Sequence, residues 1–342
     1  MSLFTPKTIT KDHYNSQLKS LIGYAFDNRY NDLRFGLEVE VENAVDVRYP
    51  ERFAEMWTTH TDGSLRNNGI EYVTRRPNTP EDTFQALDLL ETFLKQNKHL
   101  DFSERTSFHV HVNFQPRTVK DFHNFLTMYY MLENVITLRA GFENRVANHF
   151  CLRLCDSNSV KAGLLRSFQG HPHDMFGYEK YLALNLNAFG RFGTLEFRCH
   201  RGTNDVNEYR SFVQMLQEMY NTALTMDHPE VIFQGMSGLG FAEYFEQHLP
   251  ITMKYLYSDP QKLINRKLVA QELSKAMIFC QGLAHAAQVV DKPTKVVDKP
   301  KAEPAYSFAE TAAALDRASY TTLLSSVRRS QAIRRTELNE VN

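Results

Sequence analysis

Three glutamates at alternate positions, Glu38, Glu40 and Glu42 in the stretch FGLEVEVEN (residues 35–43), are the first residues here that could do chemistry. In an extended chain they share one face, and Leu37, Val39 and Val41 share the other. Carboxylates two apart on a strand sit roughly 6.6 Å from each other. At an effective dielectric of about 20 they repel by roughly 2.5 kcal/mol, and by well under about 1 kcal/mol if water bathes them. Two arrangements relieve the strain: a solvated acidic face, or a hard cation such as Mg²⁺ held by the oxygens.

Other stretches carry the same kind of polar face. In SFHVHVNF (107–114), His109 and His111 share a face with Ser107 and Asn113, opposite Phe108, Val110, Val112 and Phe114. Imidazoles two apart on a strand suit a metal, or are buried structural histidines. In GTLEFRCH (193–200), Leu195 and Phe197 form the apolar face, and Glu196, Arg198 and His200 the polar one. Glu196 and Arg198 make either a cross-strand ion pair worth less than about 1 kcal/mol or a cation-plus-phosphate site, the guanidinium fork taking phosphate oxygens. The turn Asp62-Gly63-Ser64 leads through Asn67-Asn68 to Glu71, with Thr74 and Pro77 following.

Positioning these groups requires strands, which the alternation predicts at 35–42, 70–74, 107–114, 181–188 and 193–200. Helices alternate with them. Thr79-Pro80-Glu81-Asp82 opens one, with Phe84, Leu87, Leu90, Phe93 and Leu94 as its stripe. A second begins near Thr118 with Asp121 in its first turn and carries Phe122, Phe125, Leu126, Tyr129, Leu132 and Ile136. Two more are predicted over about 206–226 and 261–285. The pattern implies an α+β domain, helices packed on one face of a largely antiparallel sheet and the active site on the other. The segment 141–178, with Arg145, Arg153, Arg166, His171 and His173, is read as a long loop that either contacts a substrate carboxylate or forms a basic surface.

The chain divides into an N-terminal extension (1–32), a catalytic domain (33–285) whose C-terminal part is helical, a linker (286–305) and a helical tail (306–342). VVDKPTKVVDKPK (289–301) repeats a seven-residue unit too rich in Lys, Asp and Pro to form a core. The late arginines of the tail, Arg328, Arg329, Arg334 and Arg335, suit a solvated helix end or a docking element for a partner. Lys and Arg total 39 against 40 Asp and Glu, so the net charge of −1 gives no overall case for nucleic-acid or membrane-surface binding. Four cysteines (Cys151, Cys155, Cys199, Cys280) in 342 residues fit a reducing compartment, and Cys151-x3-Cys155 is a poor zinc pair. The opening MSLFTPKTITKDHYN has no apolar leader core, so a soluble cytoplasmic protein is expected. There is no Gly-x4-Gly-Lys-Ser/Thr phosphate loop, no Ser-His-Asp elbow and no Cys–His nucleophile pattern.

The order Gly36-Leu-Glu38-Val-Glu40, Asp62-Gly-Ser64, Glu71-x-x-Thr74-x-x-Pro77, His109-Val-His111, Asn185, Thr194-Leu-Glu196-Phe-Arg198 and Gly202-Thr203 resembles the amidoligase family of the carboxylate-amine ligases. That superfamily also contains glutamine synthetase and glutamate-cysteine ligase. Asn144-Arg145 through Asn148-His149-Phe150-Cys151 is similar to the family's Arg and aromatic-Cys stretch, and the resemblance spans roughly 33–216. It implies a glutamine-synthetase-like catalytic sheet binding ATP with Mg²⁺ or Mn²⁺. Glu38, Glu40, Glu71, His109 and Glu196 would be metal ligands, with Glu71, Glu196 and Arg198 in catalytic roles. His111, Asn185 and Arg198 would contact the nucleotide, and Asp62, Ser64 and Arg145 the substrate. Glu42 is an extra acid, solvated if the metal face ends at Glu40.

The implied reaction joins a small-molecule, peptide or protein carboxylate to an amine through an acyl phosphate, releasing ADP and phosphate. A metal-dependent hydrolase or cupin-like enzyme using His109, His111 and a glutamate is the alternative from the same residues, requiring one transition metal and no nucleotide. A non-catalytic interaction protein working through residues 289–342 is the third reading.

Overall fold

Strands with one apolar and one polar face build a six-stranded sheet in which 57–61, 70–74, 35–41, 107–113, 194–201 and 184–185 lie side by side in that order, every pairing antiparallel. The computed structural model describes residues 7–22, 30–142, 145, 146, 148, 151–175 and 181–290. Asn144, His149, Phe150, the linker beyond Val290 and the 306–342 tail lie outside the described residues. In chain order the elements are β1 (Lys7–Thr10), α1 (Lys11–Asn15), α2 (Leu18–Ile22), β2 (Phe35–Val41), α3 (Phe53–Met56), β3 (Trp57–Thr61), β4 (Ile70–Thr74), α4 (Pro80–Gln96), β5 (Ser107–Asn113) and α5 (Val119–Gly141). They continue with α6 (Asn158–Phe168), β6 (Leu184–Asn185), α7 (Asn187–Phe192), β7 (Thr194–Arg201), α8 (Val206–Thr225), α9 (Glu230–Leu239), α10 (Phe241–His248), α11 (Pro250–Tyr257), α12 (Arg266–Ala286) and β8 (Ala287–Val290).

The expected α+β arrangement is present. Helix α4 starts where Thr79 accepts from the Asp82 N–H at 3.0 Å, and a capping box of Thr118 and Asp121 starts α5. The apolar face of the sheet meets these helices: Phe108 stacks on Tyr209 of α8 with centroids 4.1 Å apart, and Phe197 meets Tyr129 of α5 at 5.3 Å. Rather than burying one stripe, α5 is buried almost all round, because α8, α12 and the sheet enclose it. A separate parallel pair, β1 with β8, ties the N-terminal segment to residues 287–290, the start of the segment read as linker. Among the described residues no helix is long and apolar enough to cross a membrane.

Four differences from the sequence reading have local causes. The 181–188 strand shrinks to Leu184–Asn185, because Asn185 turns its side-chain oxygen onto the Asn187 N–H at 3.0 Å and the chain enters α7. Within 141–178 an eleven-residue helix, α6, forms behind a Ser157 cap. Helix α12 begins at Arg266, since the Asp259 carboxylate accepts from the N–H groups of Gln261, Leu263 and Ile264 and holds 259–264 in a turn. Helices α9, α10 and α11 fill the stretch after α8 that had no assignment.

His200 is on the other face from the one its alternation suggests. Phe108 pairs with His200 and Val110 with Phe197, so the single residue His109 of β5 faces two of β7, a β-bulge at Arg198–Cys199. Arg198 stays on the polar face, and Cys199 and His200 turn into the core, fully buried. His200 packs against Phe108, Tyr209 and Phe212, and its Nδ1 donates to the Arg201 carbonyl at 2.7 Å.

Burial pushes the pKa of His200 down to about 3, and that of His123, stacked on Phe168, to the same value. A histidine that stays neutral when folded but protonates near pH 6.5 when unfolded stabilises the fold above that pH and loses this contribution as pH falls. Between pH 7 and pH 5 each should remove about 2 kcal/mol of stability. Urea unfolding at the two pH values checks this, and His123→Phe should flatten the dependence by about one histidine's share.

Candidate functional site

Cross-strand register brings the chemistry-bearing residues together. On the open face Glu40 of β2 lies opposite Glu71 of β4, which lies opposite His60 of β3. Glu38 lies opposite His109 of β5. His111 lies opposite Glu196 of β7, and Glu196 opposite Asn185 of β6. Opposed residues share a face with Cβ atoms about 5 Å apart, so three strand-alternation patterns become one contiguous surface. Gly36 sits beside His111, where a Cβ would come within 3.4 Å of the His111 Cβ.

Glu38 holds the centre. Its Oε2 accepts from His109 Nδ1 at 3.0 Å and its Oε1 from His111 Nε2 at 3.2 Å. Burial raises the Glu38 pKa, but these imidazoles outweigh it and hold the carboxyl well below the usual range. Glu196 behaves likewise: burial opposes its ionisation, and His111 and Arg198 more than offset it. Asn185 donates to Glu196 at 2.7 Å, Arg198 forms an ion pair with the other Glu196 oxygen, and Ser107 donates to Glu40. His111 is shifted the other way, its burial outweighed by the Glu38 hydrogen bond and Glu196, so it gains proton affinity.

Glu71 has no cationic partner among the described residues. Burial first, then the charges of Glu38, Glu40 and Asp62, push its pKa up to about 8. Three groups of donor atoms each fit within 4.8 Å: Glu38, His111 and Glu196; Glu38, Glu71 and His109; and Glu40, Asp62 and Glu71. Donors dominated by carboxylate oxygens suit Mg²⁺ or Mn²⁺ better than a His-rich transition-metal centre. The raised proton affinity of Glu71 marks the charge a cation would offset. The residues present therefore fit such ions.

Asp62, expected to face substrate, joins the oxygen-donor set with Glu40 and Glu71. Glu42 is outside it: its Oε1 accepts from the Arg66 N–H at 2.8 Å and it is buried, not solvated, anchoring the turn before β4. Ser64 and Arg145 line a cavity of about 420 Å³ beside Glu40, Glu196 and Arg198. A second cavity of about 620 Å³ lies beside Glu38, Glu71 and His111. Of the other basic residues in 141–178, Arg153 pairs with Asp156 at 3.1 Å and Arg166 with Asp174 at 2.7 Å, and neither reaches these cavities.

Sequence reasoning missed Arg105, Arg191 and Phe192. Arg105 lines the smaller cavity, its Nη1 donating to the Ser64 carbonyl at 2.9 Å. Arg191 and Phe192 border both cavities. They end α7, closed by Gly193 at φ 70°, where a Cβ would overlap the Gln115 side chain at 2.1 Å. The Gly193 turn was the available signal, obscured by reading 181–188 as a strand.

A family described as "Putative amidoligase enzyme" matches residues 32–220. No curated protein matches the chain.

A cation held by Glu71 would need it as a carboxylate, so its binding would expel a proton below about pH 8. Mn²⁺ affinity should rise about tenfold per pH unit between pH 6 and 8 and then level off, reflecting one released proton. Calorimetry in buffers of different ionisation enthalpy checks this, and Glu71→Gln should abolish the slope.

Proposed function

The chain belongs to this amidoligase family, and on that premise we propose that it is an ATP-dependent ligase joining a carboxylate to an amine through an acyl phosphate. Membership supports an enzyme that forms an amide bond. The observation that carries the finer reading is the row of Glu38, Glu40, Glu71, His109 and Glu196 lying between two cavities, with Arg198 beside it. Two reactants can thereby meet across a cation-binding row. We read the sheet as a variant of the glutamine-synthetase catalytic sheet; its antiparallel order and its carboxylate-histidine open face support this.

The roles follow from the contacts. Glu38, Glu40, Glu71, His109 and Glu196 would hold Mg²⁺ or Mn²⁺, and Asp62 is placed to assist. Bound divalent ions supply neutralisation of phosphate charge. The larger cavity, lined by Tyr30 and Phe192 and with His111 at its wall, offers apolar surface to a nucleotide. The smaller, more polar cavity takes the carboxylate substrate.

A carboxylate is a poor electrophile, and transferring a phosphoryl group to it creates an acyl phosphate with a good leaving group. Arg198 is the side chain suited to that transfer. Burial alone would lower its proton affinity, but Glu196 restores it and keeps the guanidinium charged. Its buried Nε has no hydrogen-bond partner among the described residues. That N–H is available to the oxygens of the moving phosphoryl group. Asn185 and Arg198 both hold Glu196, fixing its orientation. The amine then attacks the acyl carbon, the bond to phosphate breaks, and phosphate leaves.

Calorimetric titration of a non-hydrolysable ATP analogue tests the reading. Binding should require Mg²⁺ and be lost in Glu38→Ala/Glu196→Ala. Arg198→Lys should bind the analogue within a few-fold of the unaltered protein yet lose on the order of 10² in carboxylate-dependent ADP release. Tight Zn²⁺ binding with no nucleotide binding would instead favour the hydrolase reading.

A further inference from the structure

A third cavity, about 610 Å³, opens on the far side of the smaller one from the nucleotide cavity. Arg145 is the one described residue that lines both this cavity and the reaction cavity. Arg201 joins it in the third cavity. Neither forms an ion pair among the described residues: Arg145 Nη2 donates to the Thr106 carbonyl at 2.7 Å and Arg201 Nη1 to the Ala140 carbonyl at 3.1 Å. Arg145 is only 3% exposed. Burial lowers the proton affinity of both guanidiniums by more than the charges of Glu40 near Arg145 and Glu208 near Arg201 raise it.

The surroundings are built to hold these cations in place. Phe142 adopts φ 52°, a conformation rare for a bulky residue, and its ring lies 3.6 Å from the Arg201 guanidinium carbon. The β7 bulge restores Arg201 to the open face, directly opposite Ser107. Gly202 must be a glycine, since a Cβ would meet Thr106 Oγ1 at 2.3 Å. Ser103 and Thr203 add hydroxyls to the lining.

We propose that this cavity binds the carboxylate of the amine-bearing substrate between Arg145 and Arg201, so that the acceptor is an amino acid or a peptide with a free carboxyl end rather than ammonia or a simple amine. The identification rests on the ligase reading above. The anion is a carboxylate and not a phosphate because Asp101 and Glu104, both exposed at the cavity rim, repel a dianion more strongly than a monoanion. Position gives the direction of attack. A molecule anchored here can extend its amino group past Arg145 into the reaction cavity. There the nitrogen lone pair forms the C–N bond, the C–O bond to phosphate breaks, and the leaving phosphate carries off that electron pair and accepts the amine proton.

The test uses the full chain with Mg²⁺ and the ATP analogue present. Binding of the twenty common L-amino acids and of glycylglycine, each against its own C-terminal amide, is measured by ligand-observed NMR. At least one free acid should bind ten-fold or more tightly than its amide. Arg201→Gln should bring that ratio close to one with nucleotide affinity unchanged within about twofold, and Asn204→Trp, filling the cavity from its exposed rim, should block the acid without touching either arginine. The proposal is overturned if acids and amides bind alike, if none binds while the nucleotide does, or if the preference survives both substitutions. If the preference holds and is lost in the variants while the nucleotide does not bind, the carboxylate cavity stands and the ligase reading falls.

Discussion

Like-charge repulsion on the open face of one sheet is the constraint around which the molecule is arranged. Strand alternation places Glu38, Glu40, Glu71 and Glu196 on one surface, and cross-strand register brings them within ligand distance of each other. The chain neutralises only part of that charge. Glu38 has two imidazoles and Glu196 has Arg198, but Glu40 has only the Ser107 hydroxyl and Glu71 is pushed towards its protonated form. A fold that gained stability from this face would pair every acid. This one keeps a deficit of positive charge at one edge of the row, where Asp62 deepens it. On the ligase reading, the unequal pairing is what would set a cation site apart from a salt-bridge network.

The cost of holding such a face is borne by the opposite one. Phe108, Val110, Leu195 and Phe197 are completely buried against α5 and α8, and α5 itself is enclosed on nearly all sides. Rigid packing behind the strands fixes the carboxylate positions, because a strand that slipped by one residue would exchange its acids for its valines. The bulge at Arg198–Cys199 is the one register shift among the described strand pairings, and it has a consequence on each face. It sends His200 into an aromatic cage behind the sheet, and it brings Arg201 round to the front. A regular strand would have put a histidine where the guanidinium now stands.

What was legible in the sequence is what depends on neighbours along the chain. Period-two alternation is local, so Glu38, Glu40, His109, His111, Glu196 and Arg198 could be assigned to a polar face before any pairing was known. Capping is local too, which is why α4 and α5 start at Thr79 and Thr118 as expected. The bulge was not legible, because it exists only relative to β5. Helix α7 was hidden because LALNLNAF alternates like a strand, and only the Asn185 side chain, folding back on the backbone, ends the strand. The fate of Glu42 was hidden for a related reason: its partner is the backbone of Arg66, 24 residues away, and no periodicity encodes that contact.

The cavities extend this reasoning from residues to reactants. Three hollows lie along the open face, and each neighbouring pair shares arginine: Arg191, with Phe192, between the larger and the smaller, and Arg145 between the smaller and the outermost. Arg191 has no carboxylate partner among the described residues and lies 4.8 Å from the Phe192 ring. Acids occupy the floor and unpaired cations the partitions. On the ligase reading that distribution has a physical sense, since the floor must attract cations and the partitions must attract whatever negative charge crosses from one hollow to the next. On that reading a phosphoryl group would move from the nucleotide to the acid, and a carboxylate-anchored amine would approach from the other side. A hydrolase acting on a single bound substrate would not need the second partition that the buried Arg145 forms.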